Sequence, residues 1–138
     1  VSYYKRKTGT SDPFAIADQL SILYQICNLQ FEGCYMFLKN HRYIFINENL
    51  PEHEQRLVMA HELGHALLHR KENCYFIRNK TLLLNSKKEI EANRFAMELL
   101  LPDSFLDEYK EFTIEQISRM TGYHKKLIEL KLVNERKK

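Results

Sequence analysis

The sequence lacks the paired CxxC spacing of a zinc knuckle or a redox motif. Its three cysteines, Cys27, Cys34 and Cys74, are odd in number and widely spaced, so buried free thiols are the expected state. There is also no long apolar run. No hydrophobic segment follows Tyr3, Tyr4 and the basic triplet Lys5, Arg6 and Lys7, so neither a signal peptide nor a membrane span is expected and the reading is cytoplasmic. With only four glycines and three prolines there is no low-complexity linker, and no internal repeat is visible. Nor does one sign of charge dominate. The 21 basic and 18 acidic residues are interspersed and leave a net charge of +3, which gives little reason to expect a nucleic-acid partner.

What is present suits one compact unit. A chain of 138 residues that is 44% hydrophobic can fill a single core but not two. Asp12 followed by Pro13 reads as an N-cap and first-turn proline, and Phe14, Ile16, Ala17, Leu20, Leu23 and Tyr24 continue at helical spacing. From Leu29 to Asn47 the texture turns aromatic and β-branched. Cys34–Leu38 and Tyr43–Ile46 flank a turn-like Lys39–Arg42, which predicts a hairpin in a small antiparallel sheet. Pro51, with Glu52 and Glu54 behind it, opens a long helix running to about His69 or Arg70. Cys74–Ile77 and Thr81–Leu84 fit either short strands or a loop. Ser86, with Glu89 three residues on, predicts the cap of a helix over Lys87–Leu101 that Pro102 stops. Two short helices, Thr113–Met120 and His124–Val133, complete the pattern around a Thr121–Gly122 turn.

The long helix carries the chemistry. His61, Glu62, Leu63, Gly64 and His65 spell HExxH, and the two histidines stand one helical turn apart on one face. Zinc accepts neutral imidazole at about 2.0–2.1 Å, and three protein ligands around it leave a fourth position open. Glu62 would take the proton of an attacking water and hand it to a departing amine. The bland alternative is a pair of satisfied helix histidines. His69 extends the stripe by another turn, but Ala66 follows His65, so that register has no base; a C-terminal histidine favoured by the helix dipole is the simpler reading.

A third ligand must come from elsewhere, and the Lys87–Leu101 helix offers Glu89, Glu91 and Glu98. Glu89 and Glu91 are about 200° apart around a helix, so both cannot face one ion. Glu89 shares its face with Ala92, Asn93 and Ala96, whose small side chains let two helices approach; Glu91 lies near Arg94 and Glu98 in what reads as a solvated stripe. Glu89 is the preferred ligand, with a capping or surface acid as the alternative and Glu91 as the rival. Asn93 stands one turn after Glu89 and could orient a zinc-bound histidine through its second nitrogen.

At these residues the chain resembles the ImmA/IrrE-type metallopeptidases, which belong to the gluzincin branch of zinc peptidases. The resemblance rests on HELGHALLH at His61–His69, EIEANRFAMELLLP at Glu89–Pro102 and, more weakly, YIFINENL at Tyr43–Leu50. It implies an α+β, zincin-like minimal metallopeptidase: an N-terminal helix, a small three-stranded antiparallel sheet, the HExxH helix, the Glu-bearing helix and C-terminal helices. On that basis 1–11 is a basic N-terminal tail, 12–102 the metallopeptidase core, and 103–138 a helical extension packed on it. The resemblance also implies Zn2+ held by His61, His65 and Glu89, and Glu62 as catalytic acid/base. The implied substrate is a protein, a helix-turn-helix repressor or related regulator of a phage or mobile element. No residue matches the oxyanion-stabilising Tyr or His of many gluzincins; Tyr75, Tyr109, Tyr123 and His124 are the candidates.

A different function is also written into the C-terminal part. Ile114, Ile117 and Met120 before the turn, and Leu127, Ile128 and Leu130 after it, have helix-turn-helix spacing. The chain could then be a DNA-binding or partner-binding regulator with a metallopeptidase-like sensor domain, His124, Lys125 and Lys126 meeting the nucleic acid. Glu115 and Glu129 interrupt that basic face, and a packing unit explains the same spacing. Finally, Tyr43–Ile46 is expected to be an exposed edge strand that could hold an extended substrate.

Overall fold

The structure, a computed structural model, describes residues 1–71 and 86–136. The stretch Cys74–Ile77 and Thr81–Leu84, with Cys74 and Tyr75, lies outside the described residues. The fold is α+β, and no helix among the described residues is long and apolar enough to cross a membrane.

In the segment read as a basic tail, Ser2–Thr8 forms helix α1, from which the Tyr4 ring meets Phe95 edge-on. Asp12 caps α2 (Pro13–Gln19) as expected, its side chain accepting the Phe14 N–H at 3.1 Å. The helical spacing that continues to Tyr24 does not hold. Ser21 takes φ 59°, breaking the helix, and Leu23–Cys27 becomes strand β1. Strands β2 (Gly33–Leu38) and β3 (His41–Asn47) form the expected hairpin around Lys39 and Asn40. Those two residues have φ 49° and 65°, the pair of positive values a two-residue hairpin loop with the right twist requires.

The sheet order is β1-β3-β2, with β3 antiparallel to β2 but parallel to β1. The sheet is therefore mixed, not purely antiparallel. After β1 the chain skips one position to lay down β2, and β3 then inserts between them. This also overturns Tyr43–Ile46 as an edge strand: Tyr43 pairs with Leu23 on one side and Met36 on the other. Its central place explains why Ile44 and Ile46 are wholly buried.

Helix α3 (Glu52–Leu68) packs on the β2–β3 face, and every residue from Leu57 to Ala66 is buried. Burying each large aliphatic side chain there contributes about 1.5–3 kcal/mol, so the HExxH motif rests on a firmly anchored helix. Its C-terminal end is tied down from the sheet. Arg42 donates to the Leu20 carbonyl at 3.0 Å and the Ala66 carbonyl at 3.4 Å, and the Tyr35 hydroxyl donates to the Arg70 carbonyl.

Helix α4 (Lys87–Leu100) starts at Ser86, whose hydroxyl accepts the Glu89 N–H at 3.3 Å. It crosses α3, its main partner, through Ala92, Phe95 and Ala96. The short α5 (Asp103–Glu108) was not foreseen from the sequence; α6 (Ile114–Thr121) and α7 (Lys125–Arg136) fall where the spacing puts them. Gly122, at φ 80°, makes the left-handed turn between them, a conformation that costs other residues about 1 kcal/mol. Ile117, Leu127 and Ile128 join the core, and α7 lies against α4. The expected Glu91–Arg94–Glu98 solvated stripe is divided: Glu98 accepts from the buried Lys131 at 2.7 Å, while Glu91 turns to His69.

Candidate metal centre

The HExxH spacing places His61 and His65 on the face of α3 that α4 covers, with ring centroids 4.9 Å apart. The cap at Ser86 and the close helix crossing set Glu89 opposite them. Its Oε2 lies 2.8 Å from His61 Nε2 and 3.2 Å from His65 Nε2. One donor atom from each of the three residues falls within 4.8 Å of the other two. All three side chains are buried, as are Glu62 and Asn93.

Glu62 Oε1 stands 4.0 Å from His61 Nε2, beside the cluster but outside its inner contacts. Asn93 Oδ1 is 2.7 Å from His61 Nδ1. An amide oxygen only accepts, so Nδ1 is the donor, and the ring presents Nε2 to Glu89. Glu91 is not in the cluster. It points to the flank, where its Oε2 lies 2.9 Å from His69 Nε2, and the other ring nitrogen of His69 lies 3.0 Å from His65 Nδ1.

This donor set fits a divalent cation. Two carboxylates, Glu62 and Glu89, are 1% and 4% exposed around two imidazoles, and buried negative charge is costly unless a cation balances it. Between each Nε2 and the Glu89 oxygen a positive centre must stand, either a proton or a metal ion. Burial alone would raise the Glu89 carboxyl, but the hydrogen bonds from His61 and His65 outweigh it and hold the group well below the usual carboxylate range. Two imidazoles and a carboxylate are a donor set that suits zinc.

Cys34, on β2, feels the same charge. Burial first, then the Glu62 carboxylate and Cys27, push its thiol up to about 11. Cys34 and Cys27 are both free, the first buried and the second half-buried. Of the oxyanion candidates, Tyr75 is outside the described residues and the other three have partners elsewhere: Tyr109 packs between Phe105 and Phe112, Tyr123 stacks on His53, and His124 accepts the Lys126 N–H. None of these three joins the His61, Glu62, His65 and Glu89 contacts.

Two features were missed from the sequence. Gly64, inside the motif, allows the close approach of α4: a Cβ there would stand 3.1 Å from the Phe95 Cβ and 3.2 Å from the Ala92 Cα. The signal was present as a glycine in mid-helix, where it costs about 1 kcal/mol without a packing reason. The His69–Glu91 contact had no local signal, because it depends on how the helices cross.

A small α+β fold whose two central helices bring His, His and Glu together, with a second glutamate beside them, defines the zincin-like class. The chain belongs within it to the ImmA/IrrE metallopeptidases: the profile of the IrrE N-terminal-like domain, a peptidase family, matches residues 17–127. It is 43% identical over 136 residues to immunity region protein 2 of Bacillus phage phi105, covering 96% of this chain and 86% of that protein. It is also 44% identical over 79 residues to the metallopeptidase ImmA of Bacillus subtilis strain 168, a match spanning 54% of this chain and 46% of that protein.

Proposed function

We propose that the chain is a zinc-dependent endopeptidase of the cytoplasm that cleaves a helix-turn-helix repressor of a phage or mobile element. The observation that carries the reading is the buried Glu62 carboxylate 4.0 Å from His61 Nε2, next to the three converging donors. His61, His65 and Glu89 are the zinc ligands, and 12–102 is the catalytic core with the C-terminal helices bracing it. Zinc, when bound, supplies Lewis acidity toward the scissile carbonyl and toward water.

Glu62 does the proton work. It accepts a proton from the attacking water, holds it within the buried site, and delivers it to the nitrogen of the departing amine. Asn93 keeps His61 in one orientation through its Nδ1. The regulatory setting draws support from the phage immunity region relative, and the peptidase activity from the family.

The test uses the purified chain, zinc and candidate repressors encoded beside it. Wild-type protein with zinc should cut one of them at a defined bond, and Glu62→Gln should bind zinc yet leave the repressor whole. If Glu62→Gln still relieves repression, the chain acts by binding, as a regulator, and not by cleavage.

A further inference from the structure

His69 and Glu91 lie outside the proposed ligand set, yet they are joined to it. His65 Nδ1 is 3.0 Å from His69 Nδ1, and His69 Nε2 is 2.9 Å from Glu91 Oε2. A neutral imidazole has one donor nitrogen and one acceptor, so the protons along this line can be placed from its outer end. The Glu91 carboxylate only accepts; His69 Nε2 therefore carries the proton. His69 Nδ1 is then the acceptor, and His65 Nδ1 must donate to it. That leaves the lone pair of His65 on Nε2, the atom facing Glu89.

We propose that His69, held by Glu91, is a positioning residue that fixes the ring and tautomer of His65 for metal binding, as Asn93 does for His61. The inference rests on the zinc peptidase reading and adds a second support to the site. The two ligand histidines thus have unlike backing: a neutral amide behind His61, and an imidazole tied to a carboxylate behind His65. Both ring nitrogens of His69 are engaged in the relay, so neither is turned to the cluster. The side chains of His69 and Glu91 are 9% and 36% exposed, which runs the line from the buried centre to the surface. Asn93 meets the earlier His61, while Glu91, two residues before it on α4, meets the later His69.

The geometry makes a specific demand of any replacement for His69: one atom that accepts from His65 and one that donates to Glu91. Glutamine has both in its amide, and alanine has neither. Zinc affinity is measured on metal-free protein by competition with a chromogenic chelator, alongside the visible spectrum of the cobalt-loaded form. His69→Ala should weaken zinc binding roughly 10–100-fold, the usual cost of losing such an outer partner. His69→Gln should recover most of that loss, Glu91→Ala should fall between them, and the cobalt bands should shift in His69→Ala but not in His69→Gln. Glu91 lies nearer the surface, so its variant gives a reading even where His69→Ala fails to fold. Wild-type affinity in both His69→Ala and Glu91→Ala overturns the proposal. So does His69→Gln as weak as His69→Ala with Glu91→Ala unchanged, which would make His69 a ligand or a packing residue. Wild-type protein that takes up no zinc overturns the peptidase reading along with it, a result distinguishable from the other two.

Discussion

Gly64 of α3 faces the backbone of Ala92 of α4 with no room for a side chain between them: a Cβ on Gly64 would stand 3.2 Å from both the Ala92 Cα and its carbonyl oxygen. This contact sets the distance at which Glu89 and Asn93, on either side of Ala92, reach the histidines. Alanine at position 64 gains about 1 kcal/mol of helix propensity but meets backbone atoms that cannot rotate away. Overpacking of this kind costs about 1–3 kcal/mol, so the net effect is destabilising. Gly64→Ala should therefore lower the melting temperature of the metal-free protein and weaken zinc binding by about tenfold, a loss of about 1.4 kcal/mol. A variant as stable and as zinc-competent as wild type would show that α4 is not held by this contact.

The same crossing makes metal binding a source of stability. A ligand that binds only the folded chain adds about 4 kcal/mol at a thousandfold excess over its Kd. Zinc should then raise the melting temperature by on the order of 10 °C, and a chelator should remove the gain. Glu89→Ala should abolish the shift, because it removes the third of the proposed ligands. Calorimetry on the two proteins with and without zinc checks this; an equal shift in both would take Glu89 out of the site.

The grouping of His61, His65 and Glu89 was largely legible in the sequence because its determinants are local. The i, i+4 histidines need only a helix, and Ser86 with Glu89 marks where the second helix begins; small residues at 92 and 96 mark its close face. What escaped is non-local. Leu23 and Tyr24 continue a helical spacing, and only pairing with β3 and the left-handed Ser21 make them a strand. The parallel β1–β3 pairing and the central place of β3 likewise arise from strand insertion, which no local run of residues encodes. Glu91 shows the same limit. Its neighbours on α4 suggest solvent, but the packing of α4 on α3 delivers His69 to it.

Cys34 offers a chemical probe of Glu62. With its thiol pushed up to about 11, chiefly by burial, Cys34 carries little thiolate at neutral pH. In native protein at pH 8, iodoacetamide should modify the half-buried Cys27 well before Cys34, as read by peptide mass spectrometry. Glu62→Gln removes the negative charge that adds to the burial effect, so it should speed Cys34 alkylation modestly. Cys34 reacting as fast as Cys27 in the wild type would contradict its burial.

Lys131 makes the alkaline limit of stability predictable. Its side chain is 1% exposed, and the ammonium donates to Glu98 at 2.7 Å and Asp103 at 2.6 Å, pinning α7 to α4 and to α5. Burial pulls its pKa down, but the hydrogen bonds and charges of Asp103 and Glu98 outweigh it, and the folded value ends above that of a free lysine. A raised folded value means that the contribution is fully present below the unfolded pKa, about 10.4, and is lost as pH climbs through the folded one. Wild-type stability should therefore hold near neutrality and gain a falling component only above about pH 10.4. Lys131→Met removes the cation, leaving Glu98, 16% exposed, without it, while Asp103, 53% exposed, is solvated by water. Because only one of the carboxylates stays desolvated, the cost should be about 1–3 kcal/mol, below that of a fully buried broken pair. Urea unfolding at pH 7 and at several values above 10 separates the two. At pH 7 the variant should be the less stable, and the gap should narrow as pH rises through the folded value. A gap that stays constant through that range would mean that Lys131 acts through packing alone.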